Sequence, residues 1–195
     1  MSRQRWYLVP AVLALAACDA SQPAEPIAPS FASGRQVVGH VNGEGSIDVG
    51  VPMLFDMTAL LRADGSAAGE AYHFASLGAT FIEFRTRVTC VSIDPVNRRA
   101  WVGGVITENT STDPVRMQPR NEVGQDIWWR VVDYGNGLSG TVDRGTFLGF
   151  AGDAGFDTSA DYCAGQPWPG PNDTPPQAVD ARTGPLLSGN ISVKP

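Results

Sequence analysis

Between Thr80 and Ile93 the chain alternates without a break. Ile82, Phe84, Thr86, Val88 and Cys90 fall on one side, and Glu83, Arg85, Arg87 and Thr89 on the other. Successive side chains take opposite faces only in an extended strand, so the pattern predicts an antiparallel strand with one dry face and one wet face. A dry face has to be covered, and the rest of the chain supplies more strands to cover it. Met53–Leu61 sets Met53, Phe55, Met57, Ala59 and Leu61 on one side, and Asp64-Gly65 then suits a tight hairpin. Gly69–Ala75 returns with Tyr72 and Phe74 together on one face, and the turn Asp94–Arg99 leads into Ala100–Thr107.

Further strands are expected at Gln36–Val41, ending in the turn Asn42-Gly43-Glu44-Gly45, and at Asp126–Tyr134, with Ile127, Trp129 and Val131 on the apolar side. Thr146–Ala151 is a short apolar segment, and Leu186–Val193 closes the chain as a strand that would pair with the first. Asn109–Gly124 is polar, with Pro114 and Pro119, and reads as a long loop; residues 152–185 are dominated by Gly, Pro and Asp. With 22 glycines and 15 prolines, turns and short strands are favoured over helices, and no segment reads convincingly as a helix. The expected fold is all-β, with about eight strands in a small antiparallel barrel or a β-sandwich. Closure removes exposed edges, so the barrel is preferred.

The beginning of the chain obeys a different logic. Arg3 and Arg5 precede an uncharged stretch from Trp6 to Ala17, the layout of a secretory signal peptide. That stretch is about 12 residues long, against the ~20 that span a bilayer as a helix. Leu15-Ala16-Ala17-Cys18 matches a bacterial lipobox, which predicts cleavage before Cys18 and a diacylglyceryl group on its thiol. At ~0.8 kcal/mol per buried methylene, two or three acyl chains would anchor the protein to a membrane. Asp19, directly after the lipidated cysteine, hints at the periplasmic face of an inner membrane. Residues 1–17 are thus assigned to the signal, 18–34 to the lipidated cysteine and an Ala/Pro/Ser-rich tether, and 35–195 to the β-rich domain.

With Cys18 lipidated, Cys90 and Cys163 form an even pair in an oxidising compartment, and a disulfide stapling the domain is the default expectation. It would close a loop of about 74 residues, worth ~4 kcal/mol from chain entropy. On the alternating strand, Cys90 is expected to point inward. The formal charge of −6, more negative once the signal arginines leave, argues against nucleic acid and against anionic lipid head groups.

Residues 99–107 (RAWVGGVIT), 126–137 (DIWWRVVDYGNG), 160–165 (ADYCAG) and the ending SGNISVKP resemble an uncharacterised family of secreted, β-rich bacterial proteins. In that pattern a strand is followed by D-x-G-x-G, a second cysteine lies in the ADYCAG-like segment, and a G-N-I/V strand closes the chain. The resemblance implies fold and export, and brings no activity with it.

Three groups of residues invite a chemical role. Asp153, Asp157 and Asp161 lie in a Gly-containing stretch, and Ca²⁺ takes clustered carboxylates, although the spacing of four and four differs from a calcium loop. His40 and His73 are the two histidines, and if adjacent they could hold zinc or copper with Glu44 or Glu70; Glu70 lies three positions from His73 and so on the opposite strand face. Trp128 and Trp129 must face opposite sides, and Trp128 or Trp168 is a candidate for a ligand face. Gly-x-Ser-x-Gly and Ser-x-x-Lys are absent, and no pair of acids stands out. The sequence favours a non-catalytic binding or structural β domain of the cell envelope, taking an envelope protein, glycan or apolar ligand. The alternative is an envelope-polymer hydrolase with paired carboxylates.

Overall fold

A computed structural model describes residues 36–135, 141–167 and 183–195. Five long strands follow one another by hairpins: β1 (Val37–Asp48), β2 (Pro52–Arg62), β3 (Ala67–Ser76), β4 (Phe81–Asp94) and β5 (Arg99–Asn109). Then come β6 (Asp126–Val132), β7 (Arg144–Thr146), β8 (Gly149–Phe150), the helix α1 (Ser159–Gly165) and β9 (Thr183–Lys194). The sheet runs β5-β4-β3-β2-β1-β9-β7-β6-β8, and a further β5–β6 pairing joins it into a ring. This is the barrel alternative, not the sandwich. Its closure depends on the terminal strand: Ile191 lies opposite Gly43 and Val193 opposite Val41, so β9 pairs with β1 as the sequence predicts.

The alternation written in β2 and β4 is what fills the ring. Met53, Phe55, Met57 and Ala59 from β2, with Ile82, Phe84 and Val88 from β4, turn inward and are buried. They meet Ile127, Trp129 and Val131 of β6, the apolar side expected from the sequence. The connection after β5 contains two short 3₁₀ turns, Pro114–Arg116 and Pro119–Asn121. It brings the Arg116 guanidinium over the rings of Phe147 and Phe150, 4.8 and 5.1 Å from their centroids.

Four expectations need correction. Asn42–Gly45 is no turn, because β1 continues through it and pairs with β2 on one edge and β9 on the other. The short apolar segment divides into β7 and β8, which pair with successive parts of β6 and are separated by two unpaired residues. A helix is present where Gly and Pro argued against one. Thr158 caps α1 by accepting the Asp161 N–H at 3.1 Å, so Thr158-Ser-Ala-Asp161 works as a local start signal.

The fourth correction concerns Cys90. The β4–β5 register shifts between Val88 and Cys90, a bulge that makes Val91 the next inward residue. An extra residue reverses the parity of everything after it. Cys90 therefore leaves the dry face and bonds Cys163 of α1, with Cα atoms 6.2 Å apart. The disulfide is present as expected, but it fastens α1 against the barrel wall and does not lie in its interior. Gly103 makes the approach possible: a Cβ there would sit 2.8 Å from Ser159 Cβ and 2.9 Å from Cys90 Sγ.

Between β6 and β9 the wall is closed partly by side chains. Strand β7 is three residues long and leaves the outer edge of β9 short of partners. Asp143 Oδ2 accepts the Ile191 N–H at 2.9 Å, and Asp133 Oδ2 accepts the Val193 N–H at 3.0 Å. Their other oxygens take the N–H groups of Tyr134 and Gly135, both at 2.8 Å. Both carboxylates are buried, and both stand in for a missing strand.

Candidate functional site

On the outer wall of β2–β5, register places polar side chains in two rows. Thr58, Glu70 and Arg87 lie opposite one another in one row, and Asp56, Tyr72, Arg85 and Glu108 in the next. These are the outward partners of the apolar residues that fill the barrel, so the alternation that builds the core also builds this surface. Gly69 has φ 148°, and a Cβ there would lie 1.9 Å from Thr58 O, so only glycine lets β2 and β3 approach as they do at the groove. The resulting depression has a volume of about 670 Å³ and is lined mainly by Asp56, Thr58, Glu70, Tyr72, Arg85 and Arg87.

The groove has a fixed internal order. The Arg85 guanidinium carbon sits 5.0 Å from the Tyr72 ring centroid, and Arg85 Nε pairs with Glu108 at 3.2 Å. Tyr72 donates its hydroxyl to Glu83 Oε1 at 3.0 Å, and Thr110 donates to Glu83 Oε2 at 2.5 Å. The Thr110 and Tyr72 hydroxyls hold the Glu83 carboxyl below its ordinary pKa. Partial burial, reinforced by the Glu83 hydrogen bond, raises that of Tyr72. Arg87 and Glu70 are exposed and face each other across the β3–β4 pair. A polar surface of this composition offers donors, acceptors and a ring edge to a polyhydroxylated or mixed-charge ligand.

The residues singled out in the sequence are dispersed over the molecule. Trp128 does face away from the barrel core, opposite Trp129, but Tyr162 of α1 stacks on it at 5.4 Å and leaves it 2% exposed. It belongs to a small second core with Trp101, Tyr162 and Phe156 and presents no open ligand face. Trp168 and Cys18 lie outside the described residues.

The three aspartates have separate local duties. Asp153 pairs with Arg120 at 2.8 Å and accepts the Phe150 N–H, Asp161 accepts the Thr158 hydroxyl at 2.7 Å, and Asp157 is exposed. Among the described residues no three His, Cys, Asp or Glu side chains are gathered as a metal site.

The two histidines are also apart. Strand β2 lies between β1, which carries His40, and β3, which carries His73. His73 points into the barrel and is 2% exposed, while Glu70 on the same strand is exposed outside it. The ring makes a T-shaped contact with Trp129, centroids 4.8 Å apart, and burial pushes its pKa down to about 3, which keeps the imidazole uncharged.

Arg85 and Arg87 were legible as wet-face residues, but no pattern in the sequence assembles them with Tyr72 into one groove. That required the register of three adjacent strand pairs. No family model, curated protein or solved structure matches this chain.

Proposed function

We propose that this chain is an exported bacterial lipoprotein, anchored through Cys18, whose β-barrel is a non-catalytic binding module of the cell envelope and takes glycan along the outer groove of β2–β5. The observation that carries the binding reading is the groove itself, with Tyr72, Arg85, Arg87, Asp56 and Glu70 in adjoining rows on one wall. Hydroxyl-rich polymers are bound through many such modest hydrogen bonds beside an aromatic ring. The anchor reading rests on the charged start, the short apolar run and Leu15-Ala16-Ala17-Cys18.

The groove is tested by co-sedimentation of the purified full chain with insoluble peptidoglycan. Tyr72→Ala and Arg87→Ala should each weaken retention by about 5- to 30-fold, the equivalent of ~1–2 kcal/mol. Equal retention of both variants and the parent would remove the groove from the reading. The anchor is tested by labelling cells with radioactive palmitate. Label should enter the parent protein and be absent from Cys18→Ser, which should leave the membrane fraction; label retained in Cys18→Ser would place the lipid elsewhere.

The hydrolase alternative keeps one specific support. Asp56 and Glu70 share the groove and are diagonal neighbours, since Asp56 lies opposite Tyr72 and Glu70 opposite Thr58. Both acids are exposed, on a wall that leaves water free to reach them. A general acid needs a raised pKa, ordinarily achieved by burial, and this arrangement favours binding over cleavage. Soluble glycan fragments accumulating in the sedimentation mixture, and abolished by Asp56→Asn or Glu70→Gln, would reverse that preference.

A further inference from the structure

The barrel interior contains a group of donor atoms that the outer groove does not use. Strand β2 turns Met53 and Met57 inward on either side of Phe55, and Phe55 lies directly opposite His73 on β3. Both methionines are therefore diagonal neighbours of His73 on one face of the same strand pair, within reach of long side chains. Trp129 completes the group from β6, with its ring steeply inclined to that of His73 and its Nε1 donating to Met57 Sδ at 3.3 Å. These four side chains line one cavity of about 10 Å³, large enough for a single small occupant. His73 Nδ1 is buried and has no hydrogen-bond partner there. An orphaned polar atom at a small cavity is uncommon in a packed core and asks for an occupant.

We propose that this cavity is a site for a soft monovalent cation, Cu(I) or its redox-silent counterpart Ag(I), with the His73 imidazole and the Met53 and Met57 thioethers as ligands beside the Trp129 ring. Donor chemistry selects the ion. Thioether sulfur and imidazole nitrogen suit Cu(I), whereas Ca²⁺ and Mg²⁺ require oxygen. Every proposed ligand is neutral, and no carboxylate lines the cavity to offset charge. The cost of burying an ion rises with the square of its charge, so a single charge is favoured over a double one. Gly145 and Thr146 of β7 also line the cavity, and β7 is held to β6 by two residue pairs and to β9 by three. That thin part of the wall is the natural entrance.

The competing occupant is one water molecule on Nδ1, and the experiment separates the two. The full chain, with the Cys18 thiol alkylated and the methionine methyls ¹³C-labelled, is titrated with silver nitrate in chloride-free buffer. One Ag(I) should bind per chain by native mass spectrometry. The methyl resonances of Met53 and Met57 should shift while that of exposed Met117 stays. Met57→Leu conserves volume and keeps the core packed, and it should weaken binding at least about tenfold; His73→Gln should do the same, and His40→Gln should not. A chain that takes up no silver, or whose Met53 and Met57 methyls stay fixed while silver binds, would overturn the site and leave the cavity to water.

Discussion

Asp133→Ala should lower the stability of the folded chain by about 3–5 kcal/mol, the range for removing one partner from a buried, charged hydrogen-bond network. The Asp133 carboxylate is 2% exposed and holds three donors: Arg98 Nη2 at 2.6 Å, the Gly135 N–H at 2.8 Å and the Val193 N–H at 3.0 Å. The Arg98 side chain is 48% exposed and returns to water when its partner goes. The loss therefore falls on the two backbone groups, and above all on Val193, whose N–H lies in the interior on the edge of β9 that β7 is too short to cover. Each buried donor left unsatisfied costs ~1–3 kcal/mol. Urea unfolding would show a lower midpoint for Asp133→Ala, and Asp133→Asn, which keeps an acceptor oxygen, should fall between it and the parent. Arg98→Ala should cost less than Asp133→Ala, because the half-exposed guanidinium leaves while both backbone N–H groups keep their carboxylate acceptor. A loss as large for Arg98→Ala as for Asp133→Ala would mean that the ion pair, and not the strand edge, is what the carboxylate serves.

The seam also marks where the sequence stopped being informative. Alternation at Met53–Leu61 and Thr80–Ile93 sufficed for the strands, for the face each buries and for a closed sheet, because a period of two allows only one dry side. The terminal strand's pairing with β1 followed from the need to leave no edge. A bulge has no such signature: one extra residue after Val88 turned Cys90 from the inner face to the outer, and with it the position of the disulfide. Helix α1 is seven residues long, below the length at which a periodic pattern can be read, and only the Thr158 cap announced it. Asp133 appeared as part of a D-x-G-x-G turn, and its bond to Val193, 60 positions away, is a property of the closed ring. The groove is legible in part. Arg85 and Arg87 are wet-face residues by the alternation of their own strand, but Asp56, Tyr72, Arg85 and Glu108 align only once three registers are known, and Glu108 falls beyond the strand end expected at Thr107. Trp128 shows the converse: its facing was deduced correctly from Trp129, and its cover by Tyr162 could not be.

Removing the disulfide with Cys90→Ala and Cys163→Ala together should have an effect of similar size, about 4 kcal/mol if the entropy of the 73-residue separation dominates. Strands β5, β6, β7 and β8 all lie between the two cysteines, so the bond constrains half of the barrel wall in the unfolded chain and not the helix alone. That reasoning predicts a lower midpoint for the whole cooperative transition. A local reading predicts something different. Helix α1 is held to the wall by Tyr162 on Trp128, by Ser159 donating to Asp126 Oδ1 at 2.9 Å from its N–H, and by the disulfide. If those contacts are too few without the covalent bond, the helix undocks and Trp101 and Trp128 meet water while the barrel stays folded. Tryptophan emission would then shift to the red below the main transition, with the β-sheet circular dichroism and its urea midpoint unchanged. Tyr162→Ala in the oxidised protein provides the comparison, since it removes the stacking and leaves the chain constraint in place. A double cysteine variant whose sheet unfolds at a distinctly lower urea concentration than Tyr162→Ala identifies the bond as a staple of the barrel. Equal sheet midpoints would confine its role to holding a helix over two tryptophans.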